Sequence, residues 1–135
     1  MTLENLFKTR LLLEEPADKR EFIGLVSAAR DRLEDAQNQV LSFSSRFDLA
    51  YNAAHGYALA ALRAKGYRTD KRYLVFQCLV HTVGLDKAKA RVFSMCHERR
   101  NLAEYEGHVD VDEGLLAELI NNTLELEALV NELAV

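Results

Sequence analysis

The chain has little of what breaks a helix or cross-links a protein: its 135 residues include one proline, six glycines and two cysteines. No segment alternates apolar and polar residues as a half-buried strand does. Cys78 and Cys96 show no pairing pattern and follow no secretory leader, which favours a reducing cytoplasm. No apolar run approaches the roughly 20 residues that a membrane span needs. We therefore expect a cytoplasmic protein, rich in helix, with no membrane segment.

Most familiar catalytic signatures are also missing, since the chain has no glycine-rich phosphate loop, no internal repeat and no low-complexity tract. Cys78-x-x-His81 and Cys96-His97 could suggest zinc. However, adjacent helical residues point about 100° apart, so Cys96 and His97 do not easily share one ion. A Cys/His nucleophilic pair is formally open, but both cysteines fall on apolar stripes, where an inert thiol is the usual outcome. We expect no metal and no cofactor.

Basic residues are absent after Arg100, so the net charge of -4 is distributed unevenly along the chain. Residues 63–100 hold ten Lys and Arg against three acids, a balance of +7, whereas residues 101–135 hold nine acids. One interpretation is that the acidic last helix packs beside the basic segment and neutralises it. The other is that a basic face stays free for RNA or nucleotide phosphates.

Apolar residues recur at helical spacing along most of the chain, and its length suits one domain. We predict an all-α fold for residues 1–135, a single antiparallel bundle of about five helices. The expected helical segments are Thr2 to about Glu14, Asp18 to about Val40, about Arg46 to Lys65, Lys71 to Val83, Asp86 to about Tyr105, and Asp110–Glu113 onward.

Three of these segments have informative faces. The segment from Arg46 to Lys65 is built largely from alanine, which permits close axial approach and predicts a helix at the centre of the bundle or at a dimer seam. The segment after Asp18 has an expected packing stripe of Phe22, Val26, Ala29, Leu33, Ala36 and Val40. The expected packing stripe of the segment after Asp86 consists of Ala88, Val92, Met95, Arg99 and Leu102.

The stretch from Arg100 to Tyr105 places an arginine and a phenol five residues apart, which is about 140° around a helix. Such side chains line two edges of one groove more readily than they touch. A guanidinium and a phenol that face one groove suit a phosphate, and a residue across a symmetric interface could complete the site. Arg99 and Asn101 belong to the same candidate binding site.

Three stretches together resemble the HEPN domain, a helical bundle of prokaryotic toxin-antitoxin and nucleotidyltransferase-associated systems. They are Ala28–Ala36 in the charged second helix, Phe47–Ala58 in the alanine-rich helix, and Arg100-Asn101-x-x-x-Tyr105. The resemblance covers most of the chain. It implies a two-fold dimer in which the Arg-Asn motifs of both protomers meet in a cleft.

In ribonuclease members of that family, a histidine follows the arginine after four to six residues, and the pair cleaves RNA without metal. Here Tyr105 stands in that window, and His108 comes one residue late. A phenol with a pKa of about 10 donates a hydrogen bond but is a poor general base at neutral pH. His108, His97 and His55 are alternative bases, so the catalytic candidates are Arg100, Tyr105 and these histidines.

The sequence thus predicts a HEPN-like homodimer that binds RNA or nucleotide phosphate through Arg99, Arg100, Asn101 and Tyr105, without efficient catalysis. Asn101 could contact phosphate or cap the helix end. The resemblance implies a nucleotidyltransferase as protein partner in a toxin-antitoxin-type system. Two alternatives stay open: a metal-independent ribonuclease toxin, and a purely structural interaction module in which Arg100 only pairs with acids such as Glu104.

Overall fold

A computed structural model describes residues 2–107 and 111–135 and confirms an all-α helical bundle. Its only sheet, among these residues, is a two-stranded antiparallel ladder. The elements in chain order are α1 (Leu3–Lys8), β1 (Leu13–Glu14), α2 (Lys19–Ala36), α3 (Phe43–Ala64), β2 (Tyr67–Arg68), α4 (Arg72–Gln77), α5 (Leu79–Thr82), α6 (Lys87–Glu106) and α7 (Glu113–Asn131).

Helix α3 is the centre of the bundle, as its alanine content predicts. It begins after Ser42, whose side chain accepts a hydrogen bond from the Ser45 amide, and it stops before Gly66 at φ 87°. It packs against α2 and α7, with further contacts to α4, α5 and α6. Because its small side chains let helices approach closely, α2 and α3 nearly touch where Gly56 faces Ala29.

The N-terminal segment differs from its prediction. Thr2 caps α1 as expected, but the helix ends at Lys8 rather than near Glu14. Arg10 adopts a left-handed conformation at φ 64°, and the amides of the next two residues both donate to the carbonyl of Leu6. The chain then turns into β1, which pairs with β2 so that Leu13 lies opposite Arg68.

Arg63, near the end of α3, fastens this ladder to the bundle. Its side chain is only 2% exposed, and it donates to the Glu21 carboxylate at 2.6 Å. It also donates to the carbonyl oxygens of Glu15 at 2.9 Å, Pro16 at 2.8 Å and Tyr67 at 3.2 Å. A buried guanidinium needs this many partners, so Arg63 is a structural residue.

Two other boundaries need correction. Val40 lies outside α2 and is almost fully exposed, so the expected stripe ends at Ala36. The predicted helix from Lys71 to Val83 is broken at Cys78 into α4 and α5. Both pieces contact α3 and α6.

Helix α6 begins after the N-cap Asp86 and ends at Gly107, as predicted, but it buries a different face. Ala90, Phe93 and Cys96 are buried, whereas Met95 and Leu102 are exposed. The reason is Phe93, the largest apolar side chain in the helix, whose ring stacks on Phe76 of α4 with centroids 5.6 Å apart.

The acidic last helix, α7, packs mainly against α3 and also contacts α6. An ion pair between α6 and α7 joins Lys89 to Glu125. In the core, the hydroxyl of Tyr57 donates to the Glu127 carboxylate. Burial raises the pKa of the phenol, and this hydrogen bond raises it further. The acidic helix therefore pairs with Lys89, whereas Arg63 and Arg68 pair with Glu15 and Glu21 at the other end of the chain.

Candidate functional site

Arg100 lies on the side of α6 that faces α3, where its guanidinium covers the ring of Tyr51 at 5.1 Å from the centroid. Its Nη1 atom is 3.4 Å from Glu104, and its Nε atom is 3.8 Å from Asp48. Both distances exceed the 2.7–2.9 Å of a well-formed charge-assisted hydrogen bond. Arg100 is therefore attracted to two carboxylates without being fully hydrogen-bonded to either.

Arg72, at the start of α4, approaches the same ring of Tyr51, with its guanidinium carbon 5.7 Å from the centroid. Its Nη1 atom donates to the side-chain oxygen of Asn52 at 3.3 Å. Two guanidinium groups thus converge on one buried phenol. Each gains a cation–π contact there, and each keeps most of its N–H donors available.

His97 lies between Tyr51 and Asn101 and hydrogen-bonds to both. Its Nδ1 atom is 2.9 Å from the Tyr51 hydroxyl, and its Nε2 atom is 3.1 Å from the Asn101 amide nitrogen. With that amide as donor, Nε2 accepts, and the ring proton on Nδ1 is donated to the phenol oxygen. Burial lowers the pKa of His97, and the nearby positive charges of Arg72 and Arg100 lower it further. The imidazole is therefore neutral at physiological pH.

His55 completes the cluster one turn further along α3. Its ring packs edge-on against Phe76, with centroids 5.9 Å apart. Burial, with Arg72, His97 and Arg100 nearby, lowers the pKa of His55 to about 4. Neither histidine adds positive charge at neutral pH, so the two arginines are the cations of the site.

Of the α3 wall of the site, our prediction named His55 and missed the rest, although the sequence contained a signal for it. Asp48, Tyr51, Asn52 and His55 stand at positions i, i+3, i+4 and i+7 of a helix otherwise made mainly of alanine and leucine. That spacing places polar side chains along one side of a helix. Arg72 had no such local signal, because only the fold brings it to this wall.

Arg63 has hydrogen-bond partners for all of its nitrogens, whereas Arg100 does not. Arg63 uses all three of its nitrogens in hydrogen bonds of 2.6–3.2 Å. Arg100 makes one hydrogen bond of 3.4 Å, and its buried Nε atom has no hydrogen-bond partner among the described residues. Arg100 thus retains donors that a structural arginine would use.

Of the other predicted site residues, the structure describes Tyr105 and Arg99. Tyr105, in the last turn of α6, is 90% exposed. Arg99 lines a separate groove toward α7, beside Asp112 and Glu118. His108 lies outside the described residues. The structure thus brings Arg100, Asn101 and His97 together and does not place Arg99 or Tyr105 beside them.

The space beside Arg100 is a shallow groove of about 180 Å³, lined by Asp48, Ala103 and Glu104. Its size suits a phosphate better than a whole nucleoside. Among the described residues, no group of three or more His, Cys, Asp or Glu side chains is placed to hold a metal ion. Within that same part of the chain, no helix is long and apolar enough to cross a membrane.

Both cysteines are free and buried. Burial raises the pKa of Cys78 to about 11 and, with Glu118 nearby, that of Cys96 to about 12. The thiols are therefore protonated and inert in the folded protein at neutral pH.

Comparison with protein-family models finds no match, and comparisons with curated proteins and with solved structures find none either. The resemblance to HEPN domains therefore rests on the three sequence stretches alone. The geometry of Arg72, His97 and Arg100 is an independent basis for a functional proposal.

Proposed function

We propose that this protein binds RNA or nucleotide phosphate at the Arg100 groove, with Arg72 and Asn101 as neighbouring donors, without efficient catalysis. The observation that supports it is the pair of guanidinium groups over the Tyr51 ring, whose donors are largely unused, in contrast to those of Arg63. Arginine presents a planar fork of N–H groups that matches phosphate oxygens. Two guanidinium charges held against one phenol repel each other, and a bound phosphate would offset that repulsion.

A bound phosphate would displace the two carboxylates beside Arg100. Asp48 and Glu104 are both more than half exposed, so their attraction to Arg100 is weak and screened by salt. A phosphate can replace them with shorter, bidentate hydrogen bonds. Asn101 supplies a further amide donor, and the exposed ring of Tyr105 offers a surface on which a base can stack.

Binding measurements on RNA test this proposal. Arg100→Ala and Arg72→Ala should each weaken binding of a single-stranded RNA, whereas Arg32→Ala, on the exposed side of α2, should not. Glu104→Gln gives the sharper comparison, because it frees Arg100 and should strengthen RNA binding. If Arg100 and Glu104 form only a structural pair, both Glu104→Gln and Arg100→Ala should instead lower the free energy of unfolding. In that case neither the variants nor the wild-type protein should bind RNA.

A homodimer is part of the proposal, because α6 exposes apolar side chains on the side away from the core. Met95 and Leu102, seven residues apart on that helix, are both exposed. Exposed apolar patches of this kind mark contact surfaces. We expect a two-fold dimer in sedimentation experiments, and Leu102→Glu should convert it to a monomer that keeps its helix content.

The protein partner in this proposal is a nucleotidyltransferase of a toxin-antitoxin-type system, as the HEPN resemblance implies. The exposed acids of α7, among them Glu113 and Glu118, offer such a partner one surface. A gene for a nucleotidyltransferase beside the gene for this chain would support the assignment. Failure of the two co-expressed proteins to co-purify would contradict it.

The second candidate function is a metal-independent ribonuclease, and the neutral His97 is the observation that favours it. Its Nε2 atom accepts a hydrogen bond from the exposed Asn101, so an RNA 2′-hydroxyl that displaced the amide would meet an unprotonated nitrogen beside Arg100. RNA cleavage in EDTA that is lost in both His97→Asn and Arg100→Ala would establish this activity. No cleavage at high protein concentration would exclude it.

A further inference from the structure

A second groove, of about 490 Å³, lies between the α4–α5 segment and the first half of α6. Its polar lining consists of Gln77, His81, Lys87, Arg91 and Ser94, and the described residues that line it include no carboxylate. We call this site the α5–α6 groove. Its volume falls within the range typical of ligand-binding clefts, unlike that of the smaller groove beside Arg100.

The cations of the α5–α6 groove have no partners in the described part of the chain. Lys87 and Arg91 are exposed and make no ion pair there, whereas Lys89 in the same turn pairs with Glu125. Lys87 and Arg91 are also four residues apart, a spacing at which like charges repel across one helix face. An anion between them would turn that repulsion into attraction.

This groove is connected to the Arg100 site through Asn101. Lys87, Ser94 and Asn101 recur every seven residues, so their side chains follow one another along the helix, whereas Arg100 lies about 100° further around it from Asn101. At a rise of 1.5 Å per residue, Arg91 and Arg100 are about 14 Å apart along the axis, and Lys87 and Arg100 about 20 Å. Glu98 is the acidic residue on this side, between the two sites.

We propose that the α5–α6 groove is a second phosphate subsite, and that one strand of single-stranded RNA occupies both this groove and the Arg100 site. The proposal rests on the RNA-binding function above and specifies its ligand as an oligonucleotide rather than a mononucleotide. A stacked strand advances about 3.4 Å per nucleotide, so the axial separation alone corresponds to about four to six nucleotides, and the path around the helix from Asn101 to Arg100 adds to that number. That length lies within the range that other single-strand-binding sites cover.

Salt-dependent binding of an RNA octanucleotide and an RNA dinucleotide tests the proposal. Each phosphate contact to a single strand contributes about 0.7 to the slope of log affinity against log salt. Lys87→Ala and Arg91→Ala should therefore each lower the slope for the octanucleotide by about 0.7. Lys89→Ala removes the same charge from the same turn and should leave the slope unchanged. Glu98→Gln should tighten octanucleotide binding, and the wild-type protein should prefer the octanucleotide strongly to the dinucleotide.

Two other results would overturn this inference in distinguishable ways. If Arg100→Ala abolishes octanucleotide binding while Lys87→Ala and Arg91→Ala do not alter it, the second subsite is wrong and the Arg100 site stands. If none of these variants changes RNA binding, or if the wild-type protein binds no RNA, both the inference and the proposed function fail. All of the substituted side chains lie at least partly on the surface, and circular dichroism of each variant verifies that it folds.

Discussion

The close approach of α2 and α3 at Gly56 makes a sharp prediction about stability. A Cβ atom added at Gly56 would lie 3.1 Å from the Cβ of Ala29 and 3.7 Å from the carbonyl oxygen of Leu25. At Gly24, in the middle of α2, an added Cβ meets nothing within 4 Å. The same glycine-to-alanine substitution therefore enters a tight contact at one position and open space at the other.

The magnitudes follow from two opposing effects. Alanine is favoured over glycine inside a helix by about 1 kcal/mol, and this gain applies to both positions. Extra volume in a packed contact costs about 1–3 kcal/mol, and this cost applies only at Gly56. Gly24→Ala should thus raise the free energy of unfolding by about 0.5–1 kcal/mol, whereas Gly56→Ala should lower it by about 1 kcal/mol.

Urea unfolding of both variants measures this difference, with the slope m as a check that the unfolded states are comparable. Ala29→Gly combined with Gly56→Ala removes the close contact. The double variant should therefore be less destabilised than the sum of the two single substitutions. If Gly56→Ala stabilises the protein as much as Gly24→Ala does, the helices are not as close as described and the reasoning is refuted.

Three further predictions concern ionisable groups. Burial raises the pKa of Glu21, but hydrogen bonds from Arg68 and Arg63 outweigh it and lower the pKa, so Glu21 stabilises the fold at neutral pH. This stability should fade as pH falls below about 4.5, and Glu21→Gln should flatten that acid dependence in unfolding curves. The lowered pKa of His55 makes stability decline as pH falls from 6.5 towards 4, and an NMR titration should give its midpoint near 4. Both cysteines should resist a thiol reagent at pH 8 until the protein unfolds, and rapid labelling of the folded protein would contradict their burial.

Local chemistry made several helix boundaries predictable from the sequence. Thr2, Asp18 and Asp86 each accept hydrogen bonds from amides in the next turn, and Gly66 and Gly107 adopt the left-handed conformation that ends a helix. These interactions involve residues within a few positions of one another. A sequence pattern is sufficient to find them, which is why the all-α class could be predicted.

The missed features depend on residues distant in the chain. Helix α6 had two candidate apolar faces, and only the position of Phe76 selects the one that contains Phe93. Likewise, Arg100 was found by its motif, but Arg72 became a site residue only because the bundle brings α4 to the Tyr51 ring of α3. Pairing across the fold cannot be read from spacing along one helix.

The ladder between β1 and β2 has a consequence for how the molecule opens. It joins Leu13 to Arg68, so forming it closes a long loop of chain for very few backbone hydrogen bonds. Contacts of this kind form late in folding and are among the first to be lost. The N-terminal arm should therefore detach while the helices stay packed, and its amides should exchange with solvent well before those of α3. Arg63 sets how often that local opening occurs.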